Sequence, residues 1–363
     1  MKRIIISGGG TGGHIFPAVS IANSLKKRIS DIEILFVGAE GMMEMEKVPA
    51  AGYNIIGLPV AGLHRTRPFK NLSLPLKLFR SLNLASDILK KFKPDAVVGV
   101  GGYASAPMLW QAQKMKIPTL IQEQNSYAGL TNRILSKKAK TICVAYPDME
   151  RFFRKEKICF TGNPVRRDLF NVNEIRENAM KRFGFDAAKP VVLVLGGSLG
   201  ARTLNESIAE NLYKFTEKNI QLVWQTGKSG YQKALQTVET GSKNVKVFDF
   251  IYDMNFAFAA ADIIVSRAGA GTISELCIVG KPVILVPSPN VSEDHQTKNA
   301  MALVKKEAAL TIADEKARKE LTVKIIELIN EPAAREKLGK NISQLAMPDA
   351  AENIVNKILA LIE

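Results

Sequence analysis

The sequence predicts an α/β protein made of two doubly wound domains, and three observations carry this reading. Short β-branched runs alternate with helical stretches, the alternation restarts near residue 190, and glycine-rich loops follow strand-like runs in both halves. A chain of 363 residues also suits two domains better than one.

The elements follow in order. Ile4, Ile5 and Ile6 read as a buried first strand, and residues 18–27 as a helix with Ala18, Ile21, Ala22 and Leu25 on one face. Residues 32–37, 96–100, 119–122 and 141–144 supply further strands of a parallel sheet. From residue 190 a new strand runs into GGSLGART and a helix that begins near Leu204. Residues 221–226, 245–248, 263–266 and 283–286 continue the second sheet. The stretch TGNPVRR, residues 161–167, breaks regular structure and marks the boundary. The expected division is residues 1–163, residues 164–349, and a last helix, 350–363, that crosses back onto the first domain.

Composition narrows the function. Apolar residues make up 46% of the chain, enough for sizeable cores. No apolar run reaches the roughly 18 residues that a membrane-spanning helix needs. MKRIIISGGG has too short an apolar stretch for a signal peptide and reads as a first strand. Cys143, Cys159 and Cys277 are far apart and form no CxxC pair, which fits buried thiols in a reducing compartment. The net charge of +15 and pI near 9.6 point to an anionic partner: nucleic acid, a membrane surface or a phosphorylated substrate. No basic-aromatic nucleic-acid module is present, so nucleic acid is not expected.

Part of that charge is concentrated. Residues 64–93 hold eight Lys or Arg and one acid, Asp87, interspersed with Phe69, Leu72, Leu74, Leu76, Leu78, Phe79 and Leu82. Such a segment is either an interfacial membrane anchor or an amphipathic helix packed on its own core with a solvated basic face.

Four glycine loops, at residues 8–13, 99–102, 196–200 and 269–271, sit where strands end. Ligands of open parallel sheets bind beyond those ends, and glycine lets backbone N–H groups approach an anion. Each loop alone is equally a tight turn. Four of them favour a phosphorylated ligand shared between the two domains. Gly8, Gly10 and Gly13 imitate a dinucleotide fingerprint, yet the strand ILFVG ends without the acid that would hold a ribose, and Glu40 comes only after the glycine that closes it, Gly38. No GKS or GKT follows any loop, which argues against a P-loop. The three histidines, His14, His64 and His295, all lie near these segments.

The segments GGGTGGHIFPA, GVGGYASAP, QEQNSYAGLTNR, TGNPVRR, LGGSLGARTLN, SRAGAGTISE and DHQTKNA occur in this order. Together they resemble the MurG family of bacterial N-acetylglucosaminyltransferases, nearly from end to end. The resemblance implies the GT-B fold, two Rossmann-like domains facing across a cleft. It implies transfer of GlcNAc from UDP-GlcNAc to the 4-hydroxyl of the muramoyl sugar of lipid I, with inversion, to make lipid II for peptidoglycan. It implies a donor site in the second domain: Ser198 on the diphosphate, Arg166 balancing leaving-group charge, and Ile251 meeting uracil through its backbone. Ala270, Gly271, Thr272, Ile273, Ser274 and Glu275 form the donor-binding segment, with Glu275 on the ribose hydroxyls, and Gln296 contacts the sugar. In the first domain Thr11, Gly12, Gly13 and Asn125 face the donor, while residues 8–10, including Gly10, and Gly101, Gly102 and Tyr103 cradle the lipid diphosphate. His14 is the leading candidate for the general base and Glu123 the second. No metal or other cofactor is expected. The implied location is the cytoplasmic face of the bacterial membrane, peripheral on anionic lipid, with cell-wall and division proteins as candidate partners. A diacylglycerol glycosyltransferase or a UDP-GlcNAc 2-epimerase on the same fold, and a non-catalytic nucleotide-binding regulator, are the alternatives. The first-loop and QEQNSYAGLTNR segments argue against the two enzymes, and the histidine in the acceptor loop against the regulator.

Overall fold

The computed structural model describes residues 1–60, 74–197, 200–238, 243–291 and 294–362. The chain forms two units, Met1–Val165 with Met347–Glu363, and Arg166–Ala346. Each is a parallel sheet flanked by helices.

The first unit has seven strands: β1 (Arg3–Ser7), β2 (Glu33–Ala39), β3 (Asn54–Leu58), β4 (Ala96–Gly99), β5 (Thr119–Glu123), β6 (Thr141–Val144) and β7 (Ile158–Phe160). Their order is β3-β2-β1-β4-β5-β6-β7, all neighbours parallel. Ile4, Ile5 and Ile6 of β1 are wholly buried because both faces of the sheet are covered. Each contributes about 1.5–3 kcal/mol of apolar burial. Ile4 and Ile6 pack on one face with Ile15, Ile21 and Leu25 of α1 (Gly12–Arg28) and with Ile354, Val355 and Ile358 of the C-terminal helix Ala350–Leu359. Ile5 points the other way, into a cluster with Ile88 and Leu89 of α3 (Leu74–Phe92) and Met108 and Leu109 of α4 (Ser105–Lys114). Between these lies the short α2 (Glu44–Ala50), and α5 (Leu130–Leu135) follows β5.

The second unit has β8 (Val191–Leu195), β9 (Gln221–Gln225), β10 (Val245–Phe248), β11 (Ile263–Ser266), β12 (Val283–Leu285) and β13 (Leu310–Thr311), in the order β10-β9-β8-β11-β12-β13. Trp224, Phe215 and Ile284 lie in its core.

In both sheets the strand order reverses at one place, between β1 and β4 and between β8 and β11. The four glycine loops follow these four strands. Loops on either side of a reversal leave in opposite directions and open a crevice at the carboxyl ends, where this architecture binds ligands.

Two features differ from the sequence reading. The helix α1 starts at Gly12, six residues earlier than residue 18, and carries Pro17 inside it. Glycines followed by proline read as a loop and a helix start, but here they form the first turns. Strands β3, β7 and β13, absent from the sequence reading, all lie at sheet edges. An edge strand packs fewer apolar residues, and β7 and β13 have only three and two residues.

Candidate functional site

In the first unit the site is built on the loops after β1 and β4. The N–H of Gly8 donates to Val37 O (3.1 Å), that of Gly9 to Gly101 O (3.3 Å), and that of Gly10 to Glu44 Oε2 (2.9 Å). This corrects the expectation that residues 8–10, Gly10 among them, cradle a diphosphate with their N–H groups: those donors are spent inside the protein. Among the described residues no acceptor takes the N–H groups of Thr11, Gly12 and Gly13, or of Gly101, Gly102 and Tyr103. Thr11 is the N-cap of α1, so the first three groups open at a helix N-terminus, where an anion is favoured.

His14 stands in that first helical turn. Its Nδ1 lies 3.2 Å from Thr11 Oγ1. Its ring lies against Gly101, where a Cβ would fall 2.8 Å from Cδ2 and 2.9 Å from Nε2. An imidazole held through Nδ1 by the Thr11 hydroxyl is a group able to take a proton. The structure therefore brings Thr11, Gly12, Gly13, His14, Gly101 and Gly102 together. Tyr103, 56% exposed, borders them.

Glu123 has a different part from the one its sequence position suggests. It ends β5 and is 2% exposed. Its Oε1 accepts the backbone N–H (3.0 Å) and side-chain amide (3.2 Å) of Asn125. Its Oε2 accepts the Gly129 N–H (3.1 Å) and the Asn132 amide (2.8 Å). Four donors occupy both oxygens, so this carboxylate holds the loop after β5 and is not placed to deprotonate a hydroxyl. The same contacts orient Asn125. Gln122, Gln124 and Asn163 form a buried network beneath: Gln122 Nε2 donates to Asn163 Oδ1 (2.8 Å), and Gln124 Nε2 to Val100 O (2.6 Å).

In the second unit the helix Ala270–Val279 follows β11, capped by Gly269. Among the described residues no acceptor takes the N–H groups of Ala270, Gly271 and Thr272; the first bond of the helix is Ile273 N to Gly269 O at 2.9 Å. Ile273 itself is 3% exposed and faces the core, and Ser274 Oγ donates to Ala270 O (3.1 Å). One turn on, Glu275 Oε1 meets Arg166 Nε at 3.2 Å. Burial pushes the Glu275 carboxyl above the usual carboxylate range, and Arg166 opposes that rise. The family resemblance implies different parts of a donor for these two residues; the structure pairs them. Gln296 Oε1 accepts the Ala268 N–H (3.2 Å) and the Ser288 N–H (2.8 Å), which leaves its amide as a donor. Ile251 gives its N–H to Gln225 Oε1 (3.0 Å), so its carbonyl is what the peptide can offer a base. Ser198 lies outside the described residues, as does His64. Arg267 ties the ends of this sheet, donating to Val286 O (3.0 Å), Pro287 O (3.2 Å) and Asp314 Oδ1 (2.5 Å).

Sequence reasoning misses Glu44, Gln225 and Asn163. None falls in a glycine loop, and each acts by accepting or donating to a backbone beneath one. For Glu44 there is a signal: it is an acid shortly after β2, close to where a dinucleotide fold carries its ribose-binding acid.

Comparison with known proteins gives the lineage. Residues 4–144 match the glycosyltransferase family 28 N-terminal domain, and residues 191–354 the C-terminal domain. A protein of Phocaeicola vulgatus is 57% identical over 361 residues, covering 99% of this chain and 96% of its own. One of Cytophaga hutchinsonii is 57% identical over 360 residues, covering 99% and 97%. One of Parabacteroides distasonis is 53% identical over 369 residues, covering 99% and 98%. All three are named UDP-N-acetylglucosamine--N-acetylmuramyl-(pentapeptide) pyrophosphoryl-undecaprenol N-acetylglucosamine transferase. The crystal structure of Acinetobacter baumannii MurG superposes with a TM-score of 0.79 at 28% identity, covering 99% of this chain and 100% of that one. A Neisseria meningitidis UDP-GlcNAc 2-epimerase has a TM-score of 0.69 at 18% identity, covering 99% of this chain and 100% of that one, which shows a shared fold. On its two matched domains and on relatives that align along nearly its whole length, the chain belongs to glycosyltransferase family 28, among the MurG N-acetylglucosamine transferases.

Proposed function

We propose that the chain transfers GlcNAc from UDP-GlcNAc to the 4-hydroxyl of the N-acetylmuramyl sugar of undecaprenyl-pyrophosphoryl-MurNAc-pentapeptide, making lipid II for peptidoglycan. The names of the relatives support this reading. The observation that carries it in the geometry is the imidazole of His14 standing beside two sets of open N–H groups. The N–H groups of Gly101, Gly102 and Tyr103 suit the acceptor diphosphate, and those of Thr11, Gly12 and Gly13 face the donor. His14 Nε2 takes the proton of the attacking hydroxyl, the oxygen bonds to C1 of GlcNAc, and the bond from C1 to the diphosphate breaks with its electron pair going to UDP. One in-line step inverts the anomeric centre.

The donor reading falls on the second unit. The open N–H groups of Ala270, Gly271 and Thr272 and the Arg166 guanidinium suit the UDP diphosphate, Glu275 the ribose and Gln296 the sugar hydroxyls. Arg166 then exchanges its Glu275 partner in part for phosphate. Because Glu275 accepts from both ribose hydroxyls at full strength only when ionised, and burial raises its carboxyl, donor affinity falls on acidification at a higher pH than for an ordinary carboxylate. Calorimetric titration of UDP-GlcNAc across pH checks this, and Glu275→Gln is expected to remove the dependence and weaken binding by about 1–3 kcal/mol. An unchanged dissociation constant in that variant removes Glu275 from the ribose.

The test of the reaction is transfer of radiolabelled GlcNAc from UDP-GlcNAc to a short-chain lipid I analogue. Absence of labelled product from folded protein that still binds UDP-GlcNAc overturns the acceptor assignment and promotes the alternative transferases.

We also infer peripheral binding to an anionic membrane surface. Among the described residues no helix is long and apolar enough to cross a membrane. The first turns of α3 expose Leu76 (55%), Leu78 (51%) and Phe79 (63%) beside Lys77 and Arg80, while its later residues Ala85, Ile88 and Leu89 are buried. The neighbouring α4 exposes Trp110. Residues 64–73, with Phe69 and Leu72, lie outside the described residues. Leu78→Glu with Phe79→Glu is expected to cut binding to vesicles of anionic phospholipid roughly 10–100-fold, the scale of one or two lost apolar insertions. UDP-GlcNAc affinity is expected to stay unchanged. Vesicle binding that survives both changes removes α3 from the membrane.

A further inference from the structure

Glu44 is the buried carboxylate that the reaction described above leaves unused. It is the first residue of α2 and is 0% exposed. Its Oε1 accepts the Ala39 N–H at the end of β2, and its Oε2 the Gly10 N–H in the loop after β1, both at 2.9 Å. Among the described residues it forms no ion pair with a Lys, Arg or His. A buried carboxylate without a cation is costly unless N–H groups satisfy it, and here two backbone N–H groups do.

The glycines are shaped around this group. A Cβ on Gly9 would lie 2.0 Å from Glu44 Oε1, and one on Gly38 would lie 2.5 Å from its Cγ. By contrast Gly10 has nothing within 4 Å of a would-be Cβ, and Gly13 only Thr11 Oγ1 at 3.6 Å. The run GGGTGGH therefore has two halves. The first wraps a carboxylate from within; the second carries the open N–H groups and His14.

We propose that Glu44 is a positioning residue for the transferase reaction: by holding the Gly10 N–H and the end of β2 together, it fixes where the first turn of α1 begins and so where Thr11 and His14 stand. The proposal rests on the acceptor-site reading of that turn. The carboxylate also turns the inner half of the loop away from anions, which leaves a diphosphate the outer half.

Glu44→Gln tests it. Glutamine keeps the size but offers one acceptor oxygen and a donor amide, so it satisfies one N–H and opposes the other. Glu44→Asp keeps the charge and loses the reach. Three measurements on the full chain decide: thermal melting, steady-state transfer to a lipid I analogue, and amide exchange in peptides covering residues 3–7 and 8–16. The expected result for Glu44→Gln is cooperative melting and a donor KM within about twofold of wild type. Alongside these, kcat is lowered about tenfold or more, and exchange is at least about tenfold faster in residues 8–16 only. Glu44→Asp is expected to behave the same way, because the loop is held only when two acceptor oxygens reach both the Gly10 and the Ala39 N–H groups: glutamine lacks the second acceptor and aspartate lacks the reach. Wild-type kcat, or unchanged exchange in residues 8–16, overturns the proposal. Loss of cooperative melting in both variants also overturns it, since Glu44 then serves the core alone. If wild type fails to transfer GlcNAc, the acceptor reading fails, and the exchange arm still decides whether Glu44 holds the loop.

Discussion

Replacing His14 with alanine is expected to lower turnover about 10²–10⁴-fold, the usual worth of a positioned general base, with UDP-GlcNAc affinity unchanged. The two effects separate for a structural reason. His14 sits in the first turn of α1, in the first unit, and the residues proposed for the donor diphosphate and ribose lie in the second. The imidazole is half-buried, and alanine suits a helix, so folding is little affected. What is lost is the proton acceptor whose Nδ1 is oriented by Thr11. Transfer to a lipid I analogue, measured with saturating donor across pH, checks this. Turnover near that of wild type would falsify the base assignment and leave His14 as a ring packed on Gly101.

Gly102→Ala is expected to be the most damaging of the single-methyl changes in the first unit. Gly102 has φ of +83°, a conformation that costs a non-glycine residue about 1–3 kcal/mol. Its Cβ would also lie 2.3 Å from the carbonyl oxygen and 2.9 Å from the nitrogen of Gly9. Those are backbone atoms, so no side chain can swing away, and overpacking adds about 1–3 kcal/mol. The strain is relieved only by parting the loops after β1 and β4, which moves Gly101 off His14. Chemical denaturation should show a midpoint shift equivalent to about 2–5 kcal/mol, and kcat should fall with it. Gly41→Ala is the control, because that glycine also has positive φ (+71°) but has nothing within 4 Å of a would-be Cβ. Equal losses in both variants would assign the effect to backbone strain alone.

The central strands of both sheets are legible because burial on both faces writes them as unbroken β-branched runs such as Ile4, Ile5, Ile6 and Val191, Val192. The edges are not, since a strand such as Leu310–Thr311 carries too few side chains to leave a pattern. At the site, glycine spacing and a histidine mark the ligand-facing half of the first loop. They do not reveal which N–H groups are already taken. That depends on Glu44 and Gly101, 34 and 92 residues from their partners Gly10 and Gly9, and such long-range pairing has no local signal. Glu123 misleads for a different reason, since its partners are local but side-chain and loop geometry decides that they meet it. An acid at the end of a strand looks reactive until its four donors are seen, and all four, on Asn125, Gly129 and Asn132, lie in the very segment that drew attention to it.

The return of the chain to its first unit has a consequence for synthesis. The Ile354, Val355 and Ile358 side chains complete the apolar layer over Ile4 and Ile21. A ribosome delivers residues 1–165 early, yet that unit waits for the helix Ala350–Leu359 to emerge before its layer can close. The second unit, continuous from Arg166 to Ala346, faces no such wait and can mature first. During elongation the nascent first unit therefore lacks the apolar cover that Ile354, Val355 and Ile358 bring to that cluster. Translation order and maturation order are then opposite, and stop codons near residue 350 would release a chain whose N-terminal half never seals.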